Sequence, residues 1–363
     1  MKILIIQTAF LGDAILTLPL IQKLYSKYPE SKISVIAIPA SKEIFNVSQY
    51  VHNTIVYDKK GNDKSLKSFI RILLKIRKEK FDKIYSPHRS FRSSLIVASS
   101  GCKETFGFNT SSMGFVYKYL VEYKKDIHEV ARNLFLGGFD ISGNNWKIFP
   151  DIKISEEISK KIDDKIKNNF KNEIITIAIG SVWATKKYPI DYFSEIAKYF
   201  ISIGYEVALI GGKEDANESE SLCNSLGGSI VSFVGKLSLI ESIALIGASK
   251  LLICNDSAPT HLGMATSSSI SLSLLTEQAI PKHLGSVKST PVVTLYCSTV
   301  KEFGFYPYAD NSLILSYDKL DCKPCGIHGR TKCPLGHFNC GYKLTPQFVI
   351  DMINTHILNK KLN

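Results

Sequence analysis

No apolar run in this chain reaches the ~18 residues of a membrane-spanning helix, which argues against an integral helical membrane protein. No charged and then apolar leader precedes the first strand-like run, residues 3–6, so the expectation is a cytoplasmic protein. A G-x-G-x-x-G fingerprint is also missing, which disfavours a dinucleotide dehydrogenase. No stripe of aromatics alternates with basic residues, which argues against a nucleic-acid platform. In such a setting the eight cysteines read as thiols or ligands rather than disulfides.

What is present is an ordinary globular composition, 45% hydrophobic and 21% charged, over 363 residues. That length favours two domains, each able to bury a core. Charge is placed unevenly. Residues 1–150 carry 23 Lys and Arg against 12 Asp and Glu, a net +11 of the chain's +12. A basic first half beside a neutral second half suggests an anionic partner for the first, although a lysine-rich solvated face would give the same count.

Residues 3–6, 33–38, 54–57 and 83–85 read as strands, with helices over 18–28 and 66–80. The second half repeats the plan. Strands are expected over 174–179, 207–210, 251–253 and 292–296, and helices over 192–203 and 239–248. Strand–helix alternation indicates βαβ units and mainly parallel sheets, with ligands at the carboxyl ends of the strands. The expected division is 1–150, 151–345 and a terminal helix, 346–363, that could pack back toward the first half. Residues 156–171 read as an exposed helix near the junction.

Four polar stretches follow strand-like runs. In Gln7-Thr8-Ala9-Phe10-Leu11-Gly12-Asp13-Ala14, Gly12 permits a tight turn and Asp13 opens a helix. The helix dipole should stabilise that carboxylate, so its pKa is not expected to rise by itself, and simple capping is the plainer role. Pro19 should loosen the helix that follows. Gly180 to Pro189 offers hydroxyls at Ser181 and Thr185 and a point charge at Lys186. Gly211-Gly212-Lys213-Glu214-Asp215 suits close approach of a nucleotide, with Glu214 placed for a ribose. Cys254 to Leu262 puts Asp256, Ser257 and His261 where a strand gives way to a helix. Ser257 is a plausible N-cap and Pro259 suits the first turn. A helix N-terminus there would favour a phosphate, while capping beside a surface histidine is the competing reading.

Gly12-Asp13, the run Thr185-Lys186-Lys187-Tyr188-Pro189, the run Asn255 to Leu262, and Thr290-Pro291-Val292-Val293-Thr294-Leu295-Tyr296-Cys297-Ser298-Thr299 occur together in one order and spacing. In this the chain resembles the bacterial lipopolysaccharide heptosyltransferase family over nearly its whole length. Its cysteine-bearing tail resembles the heptosyltransferase II-like branch. The resemblance implies an α/β GT-B fold of two Rossmann-like domains whose parallel sheets face a central cleft. It implies inverting transfer of heptose from ADP-L-glycero-D-manno-heptose to the lipopolysaccharide inner core. Asp13 would be the general base. Ser181 and Lys186 would hold the diphosphate, with Thr185 also on the donor side, Glu214 would take the ribose and Asp256 the donor sugar, with Ser257, Ala258 and His261 near the phosphates. Family members often carry glycine where Ala258 stands. Arg89 and Arg92, with Gly12, would meet an anionic acceptor, the two arginines acting from adjoining turns. The segment His128 to Asn133 resembles one near the family's acceptor, and Glu129 is the alternative base. No metal or other cofactor is implied for catalysis. Peripheral contact with the inner-membrane surface is compatible with such an acceptor, and no nucleic-acid partner is expected.

Cys322, Cys325, Cys333, His337 and Cys340 have metal-like spacing and could surround a structural zinc; thiols filling a small core would read the same. Residues 267–288 form an insertion relative to the family pattern. Two further functions share the scaffold. One is a glycosyltransferase using another nucleotide sugar, and the other is a non-catalytic sugar-nucleotide- or RNA-binding protein. Asp13 and Lys186 together favour catalysis, and a panel of nucleotide-sugar donors separates the three.

Overall fold

The computed structural model describes residues 1–266 and 289–359, and the insertion at 267–288 lies outside them. The chain divides into two compact units, Met1–Lys153 and Ile154–Asn363.

The first unit runs β1 (Lys2–Gln7), α1 (Leu11–Ile15), α2 (Leu18–Lys27), β2 (Lys32–Ala37), α3 (Lys42–Asn46), β3 (Asn53–Val56), α4 (Leu66–Glu79), β4 (Lys83–Ser86), α5 (Phe91–Ser100), β5 (Glu104–Phe108), β6 (Tyr119–Val121) and α6 (Glu129–Leu136). The sheet order is β3-β2-β1-β4-β5-β6, every pair parallel. Strands β1, β2 and β4 are almost wholly buried, which is why they read as continuous apolar runs rather than alternating ones. Leu4, Ile6, Ile36 and Ile84 from the sheet pack against Phe69, Ile72 and Ile76 of α4.

Pro19 does not loosen a helix interior. The chain breaks at Leu16–Thr17 between α1 and α2, so Pro19 falls in the first turn of α2, where its missing N–H leaves no intrahelical bond unmade.

The second unit runs α7 (Glu156–Asn169), β7 (Ile174–Ala178), α8 (Ile190–Ser202), β8 (Glu206–Ile210), α9 (Ala216–Leu226), β9 (Ile230–Ser232), α10 (Leu239–Gly247), β10 (Leu251–Asn255), α11 (Ala258–Ala265), β11 (Val292–Tyr296), β12 (Leu313–Ser316), α12 (Asn339–Tyr342) and α13 (Pro346–His356). The order β12-β11-β10-β7-β8-β9 is again fully parallel. It is the same doubly wound arrangement as the first sheet. The terminal helix α13 packs on α8, burying Val349, Ile350 and Ile353 in the core of the second unit. Its apolar face therefore belongs to the core of this unit. Helix α7 is exposed as expected, with Ile162 its only buried residue.

Among the described residues no helix is long and apolar enough to cross a membrane.

Candidate active site

In a doubly wound sheet the strand order reverses beside the first strand, and loops leaving the two central strands splay apart there to form a crevice. In the first unit those strands are β1 and β4; in the second they are β7 and β10. Each polar stretch singled out in the sequence, apart from that after β8, leaves one of these four strands.

After β1 the backbone turns into α1, with Gly12 and Asp13 half-buried. Gln7 holds the turn: its Nε2 donates to Thr17 Oγ1 at 2.9 Å, and Thr17 Oγ1 donates to the carbonyl of Asp13 at 2.8 Å. The Asp13 carboxyl is pushed up to about 7, first by burial and then by the negative charge of Glu129. Backbone N–H groups and the charge of Arg89 oppose the rise without cancelling it. This overturns the expectation from the helix dipole. A five-residue helix offers little dipole, and desolvation outweighs it.

After β4 comes His88, whose Nδ1 lies 2.8 Å from Thr8 Oγ1 and 3.0 Å from Ser93 Oγ. Burial, then the charges of Lys59 and Arg89, push it down to about 4, so at neutral pH it is an uncharged strut between the two loops. Arg89 precedes α5, whose N-cap is Ser90. Its guanidinium lies 3.8 Å over the ring of Tyr123 and donates to Thr110 Oγ1 at 3.1 Å. Arg92 instead reaches the carbonyl of Lys59 at 3.4 Å, beside Tyr57. The two arginines thus do not work from adjoining turns of one helix.

Glu129, the alternative base, is buried against Arg132 at 2.8 Å. Arg132 is fixed in turn by the carbonyls of Lys124 and Lys125. Burial pushes the Glu129 carboxyl up, the charge and hydrogen bond of Arg132 oppose the rise, and the charge of Glu129 in turn raises Asp13.

In the second unit Lys186 pairs with Asp256 at 2.7 Å, and Thr299 Oγ1 donates to the same carboxylate oxygen at 2.6 Å. Asp256 is buried and stands just ahead of α11. Ser257 occupies the N-cap position but makes no cap bond; its hydroxyl donates to the carbonyl of Gly180 at 3.2 Å. Ala258 is the first residue of α11 and half-buried. His261, expected at the surface if it were not a ligand, is 4% exposed. Burial pushes it down to about 4, and its Nδ1 has no hydrogen-bond partner among the described residues. Glu214 is exposed, its carboxyl folded over Gly212. Ser181 is half-buried and its hydroxyl accepts from the N–H of Trp183 at 3.4 Å.

Thr185 is not available to a ligand. It is buried, its hydroxyl lying 2.9 Å from Ser298 Oγ and accepting the Arg330 N–H at 2.7 Å. The Thr185 N–H returns a bond to the Arg330 carbonyl at 3.0 Å.

Sequence reasoning missed the residues that hold this loop. Asn255 is fully buried; its Nδ2 donates to the carbonyl of Ile179 at 2.8 Å and its Oδ1 accepts from the N–H of Tyr188 at 2.8 Å. A polar residue ending an apolar strand was the available signal. Asp215 is buried, accepts from the N–H of Gly212 at 3.1 Å and pairs with Lys187 at 3.1 Å. A Cβ at Gly180 would collide with its carboxyl, so glycine is required there. The tail was missed as well. Gly329 packs on Lys186, and the Trp183 and His328 rings lie near-parallel with centroids 6.3 Å apart.

The tail cysteines lie close to one another, the charges of Cys322 and Cys333 both acting on Cys325. Cys322 Sγ and His337 Nε2 are 4.0 Å apart, but among the described residues no three such groups converge. Cys333 Sγ accepts from the N–H of Phe338, and Cys340 is buried in the apolar core of the unit.

Solved structures share this architecture. The glycosyl transferase family 9 protein of Veillonella parvula aligns over 99% of this chain and 98% of its own at a TM-score of 0.81 and 20% identity. The E. coli ADP-heptose LPS heptosyltransferase II aligns over 99% of both chains at 0.76 and 19%. The fold is GT-B, built from two Rossmann-like units. By sequence, lipopolysaccharide heptosyltransferase 2 of Escherichia coli K12 is 22% identical over 295 residues, 73% of this chain and 80% of that protein. The sequence profile of glycosyltransferase family 9 (heptosyltransferase) matches residues 69–272, more than half the chain. The two doubly wound units and their polar loops are therefore those of an enzyme, and the chain belongs to glycosyltransferase family 9, the heptosyltransferases.

Proposed function

We propose that the protein transfers heptose from ADP-L-glycero-D-manno-heptose to the lipopolysaccharide inner core, with inversion, Asp13 acting as general base. The observation that carries this reading is the Asp13 carboxyl poised near neutrality at the carboxyl end of β1, beside the half-buried Arg89. A base works best when its pKa lies close to the working pH.

In the step proposed, the acceptor hydroxyl oxygen bonds to the anomeric carbon of heptose as its proton passes to Asp13. The bond from that carbon to the diphosphate oxygen breaks, and ADP departs with the electron pair. Lys186 supplies positive charge to the departing diphosphate, and the N-terminus of α11 adds the positive end of its dipole. Lys186 is held by Asp256 in the free chain, so it is pre-oriented and needs little ordering when an anion arrives. Ser181, Ser257, Ala258 and the unpartnered Nδ1 of His261 line the same loops, and Glu214 is exposed for the ribose. Arg89 and Arg92 supply charge for a phosphorylated acceptor. No metal is needed in this scheme, so chelation should leave turnover unchanged.

The test is acceptor-dependent ADP release from ADP-heptose, run beside a panel of other nucleotide sugars. Transfer from ADP-heptose supports the proposal. Transfer only from another donor makes the protein a different glycosyltransferase, and binding without transfer makes it a non-catalytic sugar-nucleotide protein.

A further inference from the structure

Helix α4 has three faces rather than two. Ser68, Phe69, Ile72 and Ile76 are buried against the sheet. Leu66, Ile70 and Leu74 recur every fourth residue on another side and are 74%, 45% and 63% exposed. At 100° per residue they form a stripe about 80° wide. Beyond it, over the next ~80°, stand Lys67, Lys78, Arg71 and Lys75. Among the described residues none of these four is paired with a carboxylate. The only acid of the helix, Glu79, is at its last position and pairs with Lys2.

Folding has no use for the exposed stripe. The other 14-residue helix, α7, shows the alternative: it buries only Ile162, but Glu156, Glu157, Asp163 and Asp164 mix with its lysines, and none of its residues is an exposed large hydrophobic. That is a solvated surface, and α4 is not.

We propose that α4 lies on an anionic phospholipid bilayer, with Leu66, Ile70 and Leu74 entering the headgroup–acyl boundary and the flanking Lys and Arg bound to lipid phosphates. Two observations favour a bilayer over a protein partner. The apolar stripe is bordered by lysines, which are depleted from the cores of protein interfaces but suit a lipid surface, where their stems lie along apolar groups and their charges reach phosphate. The unit that carries α4 also holds nearly all of the chain's excess positive charge. The helix has 14 residues, too few to span, so it would lie in the interface plane. The inference does not depend on which sugar is transferred.

The experiment is flotation of the full chain with vesicles of phosphatidylethanolamine and phosphatidylglycerol, against phosphatidylcholine vesicles. The chain should float with the anionic vesicles and less so as salt rises. L66S/I70S/L74S should weaken binding by roughly tenfold or more, without lowering the melting temperature, since these side chains are exposed. K67E/R71E/K75E should remove the preference for anionic lipid, while K160E/K167E in α7 should change nothing. The proposal fails if the wild-type chain floats no better with anionic than with phosphatidylcholine vesicles, or if the triple serine variant binds as well as wild type. It also fails if sedimentation shows a dimer that the serine variant dissolves, because a second copy would then cover the stripe.

Discussion

Replacing Asp13 by asparagine separates chemistry from folding, because the two effects have opposite signs. The amide matches the carboxyl in shape but takes no proton from a sugar hydroxyl. General-base catalysis contributes ~10²–10⁴-fold, so turnover should fall by that factor while donor affinity stays within a few-fold. Stability should move the other way. The folded chain holds the Asp13 proton up to pH about 7, whereas an unfolded aspartate releases it near 3.8. Below the lower value both states are protonated and burial carries no ionisation penalty. As pH rises from there toward 7, only the unfolded state gains by ionising, and stability is lost. Above about 7 the loss is complete. At about 1.36 kcal/mol per pH unit, the displacement amounts to at most roughly 4 kcal/mol. Asparagine carries no such penalty, so D13N should melt higher than wild type at pH 8 and with little difference at pH 4. Melting curves at the two pH values and steady-state ADP release are the assays. Normal turnover of D13N would remove Asp13 as the base. A variant less stable than wild type at pH 8 would refute the burial argument, whatever its activity.

Glu129→Gln removes the negative charge that helps raise Asp13, so the acidic limb of the kcat/KM profile should move to lower pH; an unmoved limb would disconnect the two groups. Lys186→Ala strands the buried Asp256 carboxylate and should lower stability by about 3–5 kcal/mol. K186A/D256N should recover much of that loss without recovering donor use, and recovery of both would make the pair purely structural. Gly329→Ala is strained, since φ is +76° and a Cβ would lie 3.0 Å from Lys186 Cγ, Thr185 Oγ1 and Ser298 Oγ. It should raise the donor KM more than it lowers kcat, and an unchanged KM would free the tail from the donor loop. Metal analysis tests the cysteine tail. The arrangement described predicts well under one zinc per chain with thiols open to titration, whereas stoichiometric zinc whose chelation lowers Tm would show the tail closing on a metal.

The sequence by itself determined the parallel sheets, because strands buried on both faces must be mostly apolar, as residues 3–6, 174–178 and 251–254 are. It also marked the polar loops, since glycine and polar residues cluster directly after such strands. What each polar group does there was a tertiary matter. Asp13 reads as a helix cap until Glu129 and the surrounding protein lift its pKa. Thr185 reads as a ligand until Arg330, 145 residues on, occupies its hydroxyl. The cysteine spacing reads equally as a metal site or as thiols in a small core, and the fold places Cys340 in the apolar core. Residues 66–80 read simply as a helix, and only the packing shows that Leu66, Ile70 and Leu74 are left outside. Periodicity and strand–helix punctuation depend on neighbours in the chain. A pKa, an occupied hydroxyl or an uncovered face depends on groups brought near only by folding, and a sequence does not list those distances.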